Sequence, residues 1–415
     1  MLDLFPVAAQ IPEVARRSRQ RRAEDRAQTS LAVETARGFA DHAVSESAER
    51  FRAARTSWLA AYPVDAAAFA RAVPLPGGAL PERHTVVAAD GSQVAPDRHD
   101  AVLSGCCLLN VGRVVLPYGP GARRARLDAR AEVLFLEDDT DEEPDAPSAA
   151  ARTLGLRRFG REMAALAELI AEASGDDEAQ PGARPAAAAV ALTDGSLIAW
   201  ALEDETGDDP AKQEALSALL ETLEAARVHR VPLVGYVSGS GSRDAVNALR
   251  VAALCPEEAV DCARCPHPAD ALPCAPIRRA TDAALFEGLL RPGERSPVFS
   301  SRGQRTGFSR VLRMYGEDHW AAFFYLHVGA EVARVEVPMW VAEDPASLAL
   351  VHAVCLDQAR KGGGYPVALA EAHERAVVHA ADRTAFRSLL ARAMVREGEA
   401  VTDSRKALSK RVRTV

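Results

Sequence analysis

Two short apolar runs in this chain end in the same tripeptide. Val86-Val-Ala-Ala precedes Asp90-Gly91-Ser92, and Ala186–Leu192 leads through Thr193 into Asp194-Gly195-Ser196. Runs of four to seven Val, Ala and Leu residues closed by Asp-Gly read as buried strands, too short for helices of the usual length. They constrain the fold, because two buried strands 194 − 90 = 104 positions apart need a sheet to hold them. A carboxylate at the C-terminal end of such a strand is held at the mouth of the sheet, where the glycine lets backbone or ligand pass close by. Two carboxylates brought side by side repel, and a divalent cation with a taste for hard oxygen ligands, Mg²⁺ or Mn²⁺, removes that repulsion. Two ordinary Asp-Gly turns are the alternative.

The rest of the chain supplies elements of both kinds. The first 75 residues read as helix, with apolar residues at helical spacing over Ala32–Ala61. Pro74-Leu-Pro-Gly-Gly then breaks the pattern. Thr85–Ala89 is the first strand, stopping at Asp90-Gly-Ser. Val102–Asn110 and Gly112–Leu116 read as two strands joined in a hairpin around Asn110-Val-Gly112, with Arg130–Phe135 a further strand. Glu137–Pro147 is an acidic run and Ser174–Pro185 a polar insertion. Between them, Arg152–Ala173 carries one apolar stripe of Leu156, Phe159, Met163, Leu166, Leu169 and Ile170, the mark of an amphipathic helix.

Helix over Lys212–Ala226, strand over Val231–Val237 and helix over Ala245–Ala253 follow. Val298–Val341 is strand-rich, Ser347–Ala359 and Pro366–Ala380 are helical, and Thr384–Arg396 closes the folded part. Strands mixed with helices, including a hairpin, predict an α/β fold with a mixed sheet flanked by helices. The domain reading is an N-terminal helical region over 1–75, a main domain over 76–400 with a Cys-rich insert at 255–276, and a basic tail over 401–415.

Composition narrows the class. Fifty Lys and Arg against 58 Asp and Glu give 50 − 58 = −8, and 48% of residues are hydrophobic, so a folded globular chain is expected and a disordered one is not. An acidic total excludes a surface coated throughout with phosphate-binding charge but leaves room for a local basic groove. No apolar run approaches the roughly 20 residues that span a bilayer, and no signal-peptide pattern follows Met1, so a cytoplasmic protein is expected.

Further candidates for chemistry lie on helices. Glu162 sits beside Phe159 and Met163 near the apolar stripe, while Glu168 lies farther out; an exposed glutamate paired with Arg158 one turn earlier is the alternative. Gly363-Gly-Tyr365-Pro366 precedes a helix that carries His373 two turns inside, and imidazole can bind a metal or move a proton near neutral pH. A structural helix histidine is the other reading. Cys255, Cys262, Cys265 and Cys274 form a candidate structural Zn²⁺ site around Cys262-x2-Cys265; free thiols and a redox pair stay open. Val237-Ser-Gly-Ser-Gly-Ser242 follows a strand and can cradle phosphate, although it lacks the P-loop order. The basic segments Arg16–Arg22 and Arg405–Arg413 are phosphate contacts or solvated faces.

In their order, Val86-Val-Ala-Ala-Asp90-Gly-Ser-Gln, Arg158-x3-Glu162, Ala191-Leu-Thr-Asp194-Gly-Ser-Leu and Gly364-Tyr365-Pro-x6-His373 resemble the NurA nuclease family. The resemblance implies an RNase H-like core, a homodimer, and Mn²⁺ (Mg²⁺ less well) as cofactor. It further implies exo- and endonuclease activity on DNA, in end resection, repair or defence, with a hexameric HerA translocase as partner. Carried over, Asp90 and Asp194 are the central metal ligands and Glu162 is the helix carboxylate, with Glu168 open on spacing. His373 is a further ligand or proton-transfer group, and Tyr365 positions the scissile phosphate. Two rival classes remain: a nucleotide-binding phosphotransferase on a related fold, and a non-catalytic adaptor of a ring ATPase.

Overall fold

The computed structural model describes residues 3–39, 50, 53–56, 58–64, 69–97, 100–136, 149–175, 188–202, 209–300 and 310–399. The strands in chain order are β1 (Tyr62–Pro63), β2 (His84–Val94), β3 (Cys106–Tyr118), β4 (Arg126–Phe135), β5 (Ala188–Asp194), β6 (Leu233–Val237), β7 (Phe299–Ser300), β8 (Ala321–His327) and β9 (Val332–Pro338). The α-helices are α1 (Phe5–Gly38), α2 (Ala149–Ser174), α3 (Pro210–Val228), α4 (Asp244–Leu249), α5 (Asp282–Glu287), α6 (Arg310–Tyr315), α7 (Met339–Glu343), α8 (Pro345–Lys361), α9 (Val367–Ala376) and α10 (Ala380–Arg396). The chain divides into two compact units. One comprises Met1–Ala79, Gly195–Ile198 and Gly235–Gly364; the other comprises Leu80–Asp194, Ala199–Val234 and Tyr365–Val415.

The second unit holds every candidate catalytic residue. Here β2, β3 and β4 form an antiparallel meander, α2 follows, and β5 returns to lie parallel to β2. That order gives the expected α/β architecture: a mixed, RNase H-like sheet flanked by helices. Val86, Val87 and Ala88 of β2 and Val190, Ala191 and Leu192 of β5 are fully buried on successive positions, as strands covered on both faces must be. The apolar stripe predicted on α2 is the face it buries, with Met163, Leu166, Leu169 and Ile170 shut away from water. On its other side α2 packs against α3, where the Thr222 hydroxyl donates to the Met163 carbonyl at 2.8 Å. The α3 start is capped by Asp209, which accepts from the Ala211 amide, with Pro210 in the first turn.

Two readings of the meander are corrected, and both turn on a glycine. The expected hairpin at Asn110-Val-Gly112 is instead the middle of one 13-residue strand, β3. Gly112 is there because α9 crosses so closely: a Cβ would collide with the Ala372 carbonyl oxygen and lie 2.7 Å from the Ala376 nitrogen. Similarly, β2 does not stop at Asp90-Gly-Ser but runs on to Val94. A side chain at Gly91 would strike Glu162 Oε1 and come within 2.9 Å of Arg158 Cγ. Asp194, in contrast, does end its strand, and Gly195 turns the chain with φ of 99°.

In the first unit the strands pair in the order β1-β7-β8-β9, with the Gly235–Val237 part of β6 pairing β9. Its core joins Ala32, Val33 and Ala36 of α1 to Phe69, Phe286, Phe299, Phe323 and Tyr325. A buried cation is satisfied there: Arg334 pairs with Glu336 and Asp244, each at 2.7 Å, the arrangement a charge needs to survive out of water. The helix expected over Ala32–Ala61 is shorter, since α1 ends at Gly38 and Tyr62–Pro63 is a strand. The helix expected over Pro366–Ala380 is two elements, α9 and the start of α10. Residues 137–148, 176–187 and 400–415, which take in nearly all of the acidic run and polar insertion and the whole basic tail, lie outside the described residues. Among the described residues, no helix is long and apolar enough to cross a membrane.

Candidate active site

The β2–β5 register pairs Ala89 with Thr193, so one step further along both strands Asp90 and Asp194 stand side by side. Glu162 reaches them from α2 through the notch left by Gly91, whose amide it accepts. Only 13% of the Glu162 side chain is exposed. Burial, reinforced by the charges of Asp90 and Asp194, pushes its carboxyl up to about 7, against the opposing pull of Arg158 and the Gly91 N–H. Asp194 is also raised, by the enclosure of its carboxylate and then by Asp90, although it accepts a hydrogen bond from Tyr365 and faces His373. Arg158 Nε approaches Glu162 Oε1 to 3.4 Å without closing a hydrogen bond, and that oxygen is buried with no hydrogen-bond partner.

The second half of the site comes from the far end of the chain. Tyr365 immediately precedes the Pro366 that opens α9, and its hydroxyl donates to Asp194. His373, two turns into α9, sets Nδ1 2.8 Å from Asp90 Oδ2 while 64% of its side chain stays exposed. The close crossing at Gly112 fixes α9 over β3, and Asn110 Nδ2 ties down its end by donating to the Arg375 and Ala376 carbonyls at 3.0 and 2.9 Å. Since Gly112 is the register partner of Asp90, the glycine that admits α9 is also what brings His373 to that aspartate. Asn110 and the two glycines were missed as contributors; glycines inside otherwise β-like runs were the available signal.

Spacing left Glu162 and Glu168 open, and the structure separates them. Glu168 faces β3 and β4, 2.7 Å from Arg130 and 3.3 Å from Arg113, in ion pairs, whereas it is Glu162 that feels the charges of the two aspartates. The structure thus brings Asp90, Glu162, Asp194, Tyr365 and His373 together. The donor set of three carboxylates and an imidazole, with one buried carboxylate oxygen lacking a partner, fits a hard divalent cation. Among the described residues, no three His, Cys, Asp or Glu side chains close to the spacing of a formed metal cluster.

The cysteines do not form the expected zinc site. Cys265 is exposed, Cys255 and Cys262 pack against the first unit's core, and Cys274 Sγ accepts from Arg250 Nη2 at 3.6 Å. His267, the other nearby candidate ligand, lies 3.2 Å from Glu257. The Ser238–Ser242 loop likewise has its donors engaged: the Ser238 hydroxyl and the Gly239 amide both donate to Glu331 at 2.9 Å.

A meander, a helix and a parallel strand carrying carboxylates at neighbouring positions define an RNase H-like protein of the α/β class. The NurA domain model matches residues 84–378, from the first residue of β2 to just past α9. The chain belongs to the NurA family. Among solved structures it is similar to a crystal structure of NurA bound to dAMP and manganese (14% identity, covering 75% of this chain and 88% of that one, TM-score 0.36). It is also similar to NurA with manganese (11% identity, 76% and 89% coverage, TM-score 0.32). A third is the C-terminal lobe of a budding yeast Argonaute (9% identity, 77% and 50% coverage, TM-score 0.23). No curated protein matches.

Proposed function

We propose that this protein is a divalent-metal-dependent deoxyribonuclease, an exo- and endonuclease that hydrolyses phosphodiester bonds at the Asp90–Glu162–Asp194 site. The observation that carries the reading is the carboxylate set itself, from β2, α2 and β5: the charges of Asp90 and Asp194 raise the proton affinity of Glu162, Asp90 also raises that of Asp194, and Glu162 Oε1 is buried without a partner. Asp90, Glu162 and Asp194, with His373 at the rim, would hold Mn²⁺ or Mg²⁺. When bound, such an ion activates an in-line water and neutralises charge on the leaving oxygen.

The chain's own groups do the rest. Asp90 orients the His373 ring through Nδ1, which leaves Nε2 to take up or deliver a proton at the exposed mouth of the site. Tyr365, anchored on Asp194, is positioned to meet a non-bridging phosphate oxygen. Hydrolysis proceeds without a covalent enzyme intermediate, because water, not a side chain, is the nucleophile. Family membership supports the cellular reading: a cytoplasmic homodimer acting with a HerA-type hexameric ATPase in DNA end processing, repair or defence.

The test is degradation of end-labelled linear DNA by the purified chain with Mn²⁺, with Mg²⁺ and with EDTA, alongside Asp194→Ala. Metal-dependent cutting that disappears in the variant is expected. Cutting that persists in EDTA or in Asp194→Ala overturns the reading. A chain that stays silent with every metal, even after a HerA-type ATPase is added, is an adaptor and no nuclease.

A further inference from the structure

The hairpin joining β3 to β4 carries an unbalanced charge at its tip. Arg123 and Arg124 are exposed in the connection. Gly119, with φ of 101°, folds that connection against the start of β2, so closely that a Cβ would collide with the Glu82 carbonyl and lie 3.0 Å from the Arg83 Cα. Three arginines, 83, 123 and 124, therefore gather at one end of the sheet. None of them makes an ion pair with a described residue, nor does Glu82, the acid beside them. The contrast with their neighbours is what gives this weight. A few residues along, Arg126 is held by Glu172, Arg130 by Glu168, and Arg113 by Asp128 and Glu168. In a chain of net charge −8, arginines within the strands are neutralised while those at the tip are left to solvent.

The tip is rigidly placed with respect to the site. His84, which pairs with Tyr118 at the base of the hairpin, and Asp90 lie on the same buried strand, six residues or about 20 Å apart. At the Asp90 end, over the register partner Gly112, stands Arg375, its Cβ 2.9 Å from where a Cβ on that glycine would lie, and it too makes no ion pair with a described residue.

We propose that Arg83, Arg123 and Arg124 form an anchoring site for the backbone phosphates of a nucleic-acid strand whose scissile bond lies at Asp90. The ligand class rests on the nuclease reading; the placement rests on the hairpin. Guanidinium groups suit phosphate oxygens through their forked donors, and unpaired ones bind without first breaking an internal ion pair. An anchor at this distance makes long strands bind more tightly than small phosphodiesters, with no effect on bond cleavage itself.

The test compares the full chain with Arg123→Glu/Arg124→Glu and with the milder Arg123→Ala/Arg124→Ala. Binding of a fluorescein-labelled twenty-residue oligothymidylate is followed by anisotropy in EDTA across a salt series, and hydrolysis of bis(p-nitrophenyl) phosphate is followed with Mn²⁺. The charge reversal is expected to weaken strand binding about tenfold or more, and both variants to lower the salt slope by about 1.4, at about 0.7 per phosphate contact. Hydrolysis of the small diester should be unchanged. Equal affinity and slope in the parent and both variants overturn the anchor, as does a parent that does not bind the strand. A parent that binds the strand but hydrolyses neither the diester nor the strand with Mn²⁺, even after a HerA-type ATPase is added, refutes the nuclease reading, and the salt slopes still decide the anchor.

Discussion

His373 and Asp90 meet across 283 positions of chain, Nδ1 to Oδ2 at 2.8 Å, and the contact joins α9 to the centre of the sheet. A histidine aimed by a carboxylate and open to solvent on its other nitrogen is suited to proton transfer. His373→Ala should lower the rate of DNA cleavage by about 10²–10⁴-fold, the usual worth of a general acid or base, with little change in melting temperature. Activity within a few-fold of the parent sinks the assignment.

Asp90→Ala and Asp194→Ala each remove a carboxylate from a cluster whose members repel. Cleavage should vanish while circular dichroism and thermal stability are kept or improved. A purified variant of either kind with full activity contradicts the proposed site.

Gly91→Ala asks for space that Glu162 and Arg158 occupy. Overpacking of this kind costs about 1–3 kcal/mol, and relief requires Glu162 to leave its notch. Both a lower melting temperature and a loss of cleavage are expected. An unperturbed enzyme shows that Glu162 does not need its present seat.

The raised carboxyl of Glu162 makes a prediction about pH in the metal-free protein. Its folded value of about 7 lies above the ordinary 4.5, so in that window the folded state binds the proton more tightly than the unfolded chain. Stability is therefore fully present below about pH 4.5 and declines as pH rises through 7, by about 3 kcal/mol in all. Asp194, also raised, acts in the same direction. Thermal melts in EDTA from pH 5 to pH 8 should fall, and Glu162→Gln should flatten that fall. A divalent ion, which prefers the ionised acid, should restore stability most at the alkaline end.

Glu168→Gln is the matching control. Of its partners, Arg130 is exposed, in a pair worth about 0–1 kcal/mol, while the buried Arg113 keeps Asp128, and cleavage should be unaffected. Loss of activity in this variant, with Glu162→Gln active, exchanges the two glutamates.

Much of this site could be read from the chain, for physical reasons that differ by residue. Asp194 was legible because an unbroken apolar run followed by Asp-Gly marks a strand and its end using neighbouring residues alone. The α2 stripe was legible for the same reason. The continuation of β2 and β3 was not, because a glycine that opens a turn and one that admits another element look alike locally. What distinguishes them at Gly91 and Gly112 is Glu162 and Ala372, about 70 and 260 positions further on. The choice between Glu162 and Glu168 had a similar origin: it depends on Arg113 and Arg130, contributed by strands that precede the helix. For the cysteines, Cys-x2-Cys spacing was sound as a motif, but spacing does not make four thiols converge.

The crossing at Gly112 also governs when, and not only where, the site comes together. During synthesis the meander, α2 and β5 are all available once the chain has passed Asp194, yet the groove above Gly112 stays open until α9 is made and docks. A newly made chain thus carries its acidic residues for a further 179 positions, 373 − 194, before His373 can join them. Under the proposed nuclease function, the order of the segments alone delays the complete site until α9 has been made.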